Sequence, residues 1–318
     1  MTIFRSASLV AIATALCTAA VATAQDDNID ELAVLFGARE TVLDIALSPS
    51  GNKIAYISAG PEHTEVLNVV DLAGDAKIRQ VAANSEKTAD LVSCEWATES
   101  RLVCQVSGMA RAPDGTLLGF DRLFAISDDG SNAQELSQRQ SSRALGFVQQ
   151  GGDVVALDVD GEQGKILMSR QLVKEVTIGT RLANDQEGLS VDLVDVESSQ
   201  RRSRENADSG AQRYIADEAG KVRIKVRARS DGRGFLTGEY DYAYRAKNSN
   251  GWKLLKDLTI AGQPVAGFAP VAVDSADDVA IGFISLGGYD AVAAFALDGS
   301  GAGRQLRHRK TLHRLFQS

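Results

Sequence analysis

Five times along the chain a polar turn runs straight into a stretch where apolar and polar residues alternate. "SPSGN" (48–52) precedes Ile54 and Tyr56, and "ATES" (97–100) precedes Leu102 and Cys104. "QQGG" (149–152) precedes Val154 and Ala156, "DEAG" (217–220) precedes Val222, Ile224 and Val226, and "DSADD" (274–278) precedes Val279 and Ile281. Alternation with period two marks a strand with one buried face. The first apolar positions, 54, 102, 154, 222 and 279, lie 48, 52, 68 and 57 residues apart.

A second set of turns falls inside most of these units: "DLAGD" (71–75), "SDDGS" (127–131), "KNSNG" (247–251) and "LDGSG" (297–301). Gly and Asn tolerate the positive φ that tight hairpins need. Strand-like runs flank them, namely "EVLNVVDL", "RLFAIS", "YDYAYRA" and "AVAAFAL". Several short antiparallel strands per unit of about 50–60 residues is the pattern of propeller blades. A sandwich spaces its turns every ~8–12 residues without a longer period, and β-helix repeats are far shorter. The expected fold is therefore all-β: a β-propeller with about five blades, either a small ring or part of a seven- or eight-bladed one. The longer third unit predicts an inserted loop at "SSQRRSREN" (198–206). In "KVRIKVRAR" (221–229) every second residue is cationic, which predicts a strand with one wet face.

The N-terminus reads differently. Arg5 is the single cation before an uncharged stretch, 6–24, that ends "AVATA". This is the pattern of a secretory signal cleaved after Ala24, the alternative being an uncleaved anchor. "NIDELAVLFGA" (28–38) then predicts a short helix, with Asn28 as its cap and Ile29, Leu32, Leu35 and Phe36 on one side. The expected organisation is a signal peptide over 1–24, a helix and lead-in over 25–40, blades over 41–303, and a basic tail over 304–318. That tail lies within a stretch, 301–318, with five cations and no acid, in a chain of net charge −8.

These readings place the mature protein outside the cytoplasm, periplasmic or extracellular. No later stretch approaches the ~20 apolar residues of a membrane helix. Without Cys17 in the leader, two cysteines are left, Cys94 and Cys104. In an exported chain such a pair is expected to bridge, and a hairpin turn at 97–101 would set the two on facing strands. Two cysteines with no histidine nearby cannot complete a tetrahedral metal site. An acidic chain argues against nucleic acid.

Chemistry is hard to find. Gly282-Phe-Ile-Ser285-Leu-Gly287 has its first glycine one residue too far from the serine for a nucleophile elbow, and no helix follows. "DVDGE" (158–162) opens like a calcium loop but misplaces its glycine. His63 sits in a turn. Trp96, Trp252 and the run Tyr240, Tyr242, Tyr244 read as blade packing. No catalytic, cofactor-binding or metal-ligating set emerges.

Two segments carry a family resemblance. "FGARETVLDIALSPSGNKIAYIS" (36–58) resembles the start of the N-terminal propeller of exported bacterial S9-family serine peptidases, the prolyl oligopeptidase and acylaminoacyl-peptidase group. "CEWATESRLVC" (94–104) resembles a recurring cysteine-flanked strand pair there, and "GFAPVAVDSADDVAIGF" (267–283) a later blade. The resemblance covers about residues 30–300. It implies a propeller that caps an α/β-hydrolase domain and selects short peptides. The family's Ser, Asp and His lie in that other domain, so none is carried over to this chain. On that reading the chain is a truncated product, its cationic tail an out-of-frame or degenerate end. Its partners are a peptide substrate or a catalytic domain. The alternative is a stand-alone periplasmic propeller that binds peptide or protein.

Overall fold

The computed structural model describes Gly37 and residues 40–308, apart from Glu62, Pro113, Gln140, Phe147 and 177–182; for Arg307 and His308 it describes the backbone. The expected leader, the N-terminal helix and 309–318 fall outside the described residues, Gly37 and Glu40 excepted. The chain divides into two units, Met1–Glu40 and Thr41–Ser318. The second unit carries all the strands that follow.

Blade 1 is β1 Val42–Leu47, β2 Lys53–Ala59, β3 Glu65–Asp71 and β4 Ile78–Asn84. Blade 2 is β5 Ala89–Trp96, β6 Arg101–Arg111, β7 Leu117–Ser127 and β8 Gln134–Glu135. Blade 3 is β9 Val154–Ala156, β10 Lys165–Leu172, β11 Gly188–Asp195 and β12 Arg201–Asp208. Blade 4 is β13 Ala211–Ala216, β14 Val222–Ser230, β15 Leu236–Tyr244 and β16 Lys253–Leu254. Blade 5 is β19 Ala269–Asp274, β20 Val279–Leu286, β21 Tyr289–Ala296 and β22 Ala302–His308. Two short strands extend its outer edge, β17 Thr259–Ile260, parallel to β22, and β18 Gln263–Pro264. Each blade is an antiparallel meander in chain order. First strands neighbour one another: β1 lies against β5, β9 against β13, and β13 against β19. This is a β-propeller, with five blades among the described residues.

The blades stack through four apolar joints. Ala55, Ile57, Leu67 and Val69 of blade 1 meet Leu91, Trp96, Leu102 and Ile126 of blade 2. Val103, Leu123 and Ala125 meet Ile166, Met168 and Val194 of blade 3. Leu167, Leu189, Val191 and Leu193 meet Ala211, Tyr214 and Val222 of blade 4. Ile224, Val226 and Tyr244 meet Phe268, Ala280, Ile284 and Phe295 of blade 5. Each large aliphatic side chain so buried contributes about 1.5–3 kcal/mol. Interior blades are therefore covered on both faces, unlike an ordinary antiparallel sheet with a wet side.

Polar clamps cross the same joints. Lys53, at the start of β2, reaches Asp128 of blade 2 at 2.5 Å. Arg101, at the start of β6, donates to the Val196 carbonyl of blade 3 at 2.6 Å. Arg223, near the start of β14, bonds Asp217 at 3.0 Å and also Asp278 of blade 5. A cation just after the turn thus ties one blade to a turn of the next.

This corrects the wet-face expectation for "KVRIKVRAR". Arg223 is fully buried, and Lys225 is held by Asp208 at 2.7 Å. The third unit needs correction too. Val154 begins the first strand of its blade, whereas 54, 102, 222 and 279 lie on second strands. The matching residue is Ile166 on β10. Nor is 198–206 an inserted loop: it is a turn running into β12. Of its three arginines, Arg202 and Arg204 pair with Glu162 of the "DVDGE" turn and Arg201 lies by Asp192. Finally, β22 runs through the boundary expected at Gly303.

Candidate binding cleft

The extra length of the third unit falls within two excursions, 136–153 before β9 and 173–187 after β10, whose described residues lie outside the blade strands. They are stitched together at Ala144 and Glu175, which form an isolated antiparallel bridge. The Leu145 N–H donates to the Lys174 carbonyl at 2.8 Å, and the Val176 N–H to the Arg143 carbonyl at 2.9 Å. Asn184 closes the second excursion on itself, donating to the carbonyls of Val173 at 2.8 Å and Gln186 at 2.9 Å.

Between their described residues, beside the end of β10, lies a cleft of about 250 Å³. Ala144, Val148, Leu172 and Val173 give it an apolar floor, and Gln138, Arg139, Gln150, Arg170, Glu175 and Asn184 line it with polar groups. Gln150 and Gly151 of the "QQGG" turn belong to the lining. A Cβ on Gly151 would lie 2.5 Å from the Asp121 carbonyl, and one on Gly152, at φ +106°, would lie 2.2 Å from the Ser169 carbonyl. Only glycine lets this backbone rest directly on β7 and β10. Beside it, burial chiefly, aided by the charge of Asp153, pushes the Asp121 carboxyl up, against the Gly151 N–H that donates to it.

Behind the cleft is an ionic cluster. Asp192, 2% exposed, lies 3.3 Å from Arg170 and 3.7 Å from Arg201. Two guanidinium groups share one carboxylate. Burial, joined by repulsion from Arg170, lowers Arg201 against the pull of Asp192. Arg170 spans the wall, since its Nη1 donates to Gln138 on the cleft side. Glu175, the acid of the lining, is held below the usual carboxylate range chiefly by the Asn184 N–H. Oriented guanidinium donors, a fixed acid and an apolar floor suit the carboxylate and side chain of a short peptide. The described lining contains Ser141 but no histidine.

The residues singled out in the sequence lie elsewhere. Cys94 and Cys104 pair directly across β5 and β6 and are joined by a disulfide. Trp96 is buried in the first joint, and its indole N–H donates to the Ala46 carbonyl at 3.2 Å. Trp252 lies under Arg245 at 4.0 Å and Lys225 at 4.9 Å. Tyr244 is core while Tyr240 is half exposed. Ser285 sits on β20, before a Gly287-Gly288 turn into β21. His63 lies on an exposed turn. Sequence reasoning missed the cleft. Its one outward signal was the excess length of the third unit.

No protein-family model matches the chain, and no curated protein matches it. Among solved structures, the chain is similar to a protein described as TolB from Agrobacterium tumefaciens, at 12% identity over 85% of this chain and 82% of that one, with a TM-score of 0.40. It is similar to a chain of a nidogen/laminin complex, at 10% identity over 84% and 79%, with a TM-score of 0.38. It is also similar to the acylaminoacyl peptidase of Pyrococcus horikoshii, at 14% identity, 88% of this chain and 47% of that chain, with a TM-score of 0.36.

Proposed function

We propose that this propeller binds short peptides and, joined to a catalytic α/β-hydrolase domain, restricts which of them reach that domain, as the propellers of S9-family peptidases do. The observation that carries the reading is the cleft: the two excursions that break the blade pattern converge on one polar pocket with an oriented guanidinium, Arg170, in its wall. The resemblance of 36–58 and of the cysteine hairpin to that family supports it. Hydrolysis belongs to the other domain, and this chain contributes selection. The disulfide and the leader pattern support a place outside the cytoplasm, where a thiol pair persists oxidised.

The same cleft serves a stand-alone exported propeller that binds peptide or protein. That reading is favoured by the cleft's construction from blades 2 and 3 and their excursions, with no residue required from another domain.

Fluorescence polarisation with a labelled tripeptide tests the binding. The free-acid peptide binds about tenfold tighter than its C-terminal amide, about 1.4 kcal/mol. Arg170→Met removes most of that difference. Arg139→Gln, at a largely exposed side chain in the lining, weakens binding without touching the fold. Equal affinity for acid and amide, unaffected by either substitution, overturns the assignment.

A further inference from the structure

Asp192 is one acid between two arginines. The register of β10, β11 and β12 puts the three side chains on one face: Asp192 pairs with Met168, two residues before Arg170, and Arg201 pairs with Val194. Met168 and Val194 pack against blade 2, so the cluster is turned toward that joint. The Arg170 Nε lies 3.3 Å from the Asp192 Oδ2, and the Arg201 Nη1 lies 3.7 Å from it. All three atoms are buried, and none has a hydrogen-bond partner among the described residues. Among those residues Asp192 is the one acid in ion-pair contact with either guanidinium.

The described cations of the two excursions are matched singly: Arg139 by Glu135, Arg143 by Glu175 and Lys174 by Glu187. The cluster instead holds two cations against one anion. Arg170 brings that surplus through the wall, where its Nη1 donates to Gln138 of the lining. A buried charge without a counterion is costly. A ligand carboxylate at Arg170 supplies the missing one.

We infer that Arg201 sets the charge that the cleft accepts: by holding Asp192 it leaves Arg170 one positive charge in surplus, and the cleft takes a group with a single negative charge. Arg201 and Asp192 are not among the lining residues, so Arg201 is a positioning residue that acts through Asp192. A charge just behind the wall is felt at the wall because a protein interior screens weakly. This role rests on the peptide reading proposed above.

The test is fluorescence polarisation at low ionic strength with the labelled tripeptide as free acid and as C-terminal amide. The quantity read is the ratio of the two affinities, about tenfold in the parent. Arg201→Met lowers the ratio to below about threefold, although it leaves Arg170 in place. Arg201→Lys restores it. Asp192→Asn leaves both cations without a counterion, so the ratio rises above the parent's even as the melting midpoint falls. A merely structural disturbance would lower the ratio in both Arg201→Met and Asp192→Asn. Should Arg201→Met fail to fold, Asp192→Asn decides alone. Equal binding of acid and amide by the parent overturns the peptide reading and this role with it. A parental preference that Arg170→Met abolishes and Arg201→Met leaves intact overturns this role alone, as does an Asp192→Asn ratio at or below the parent's.

Discussion

The Arg101 guanidinium, buried in blade 2, donates to the Val196 carbonyl of blade 3 at 2.6 Å. The same side chain donates to the Asn132 carbonyl at 2.8 Å and pairs with Glu197 at 3.2 Å. One residue therefore closes its own blade's last turn and fastens the next blade. Arg101→Met keeps the stem's packing and removes the donors. It leaves two carbonyls short of a partner and is expected to cost about 2–4 kcal/mol. Urea unfolding of variant and parent measures this as a lower midpoint with the slope preserved.

The Cys94–Cys104 bridge closes a short loop within one hairpin. The chain-entropy argument gives it about 2–3 kcal/mol. The double variant Cys94→Ala with Cys104→Ala lowers the unfolding free energy by at least that amount, since it also loses packing in the first joint, where both residues are buried. Peptide mapping without reductant shows the pair linked. Two alkylatable thiols in oxidised material would refute the bridge.

Gly152 rests on the Ser169 carbonyl at φ +106°. Gly152→Ala combines a steric conflict with a backbone that alanine disfavours, at about 1–3 kcal/mol. Because the turn forms the cleft's wall, peptide affinity falls along with the melting midpoint. Gly161→Ala is the control: its φ is also positive, at +74°, but nothing lies within 4 Å of its Cβ, so it leaves the cleft unchanged.

Acid weakens the joint between blades 3 and 4 through Asp208. Burial raises its carboxyl, but the hydrogen bonds from Lys225 and the Gly210 N–H, with the Lys225 and Arg227 charges, outweigh that and hold it below its ordinary value of 3.8. A depressed carboxyl contributes stability above the unfolded pKa, near 4, and loses it as pH falls through the folded value. Stability therefore declines below about pH 4. Asp208→Asn is less stable than the parent at neutral pH and declines less steeply in acid. Parallel pH profiles for the two proteins would remove Asp208 from the account.

Much of the blade pattern was legible in the sequence, because polar turns punctuate it at the starts of strands and between them. The turns at 71–75, 127–131, 247–251 and 297–301 each join the last two strands of a blade. Blade 3 was misplaced because the polar turn "QQGG" precedes the short first strand β9, whereas the turn before β10 lies at "DVDGE". Ile166, Leu167 and Met168 are successive and all inaccessible, so β10 itself shows no alternation. Arg223 looked solvated because blade 5, whose Asp278 it meets, lies 55 residues along the chain, and its nearer partner Asp217 sits in what reads as an ordinary polar turn. Arg202 and Arg204 looked like an insertion for the same reason, their acid Glu162 being some 40 residues upstream. The cleft had no local signature. Its walls are irregular segments held by backbone contacts across the fold, and Arg170, Asp192 and Arg201 meet only once three strands pair.

The most direct test of binding without hydrolysis is to incubate the purified chain with the tripeptide and follow both partners by mass spectrometry. The account predicts bound peptide that is recovered intact after prolonged incubation. Cleavage that is abolished by a serine-directed phosphonate would contradict it and place a complete catalytic site within this chain.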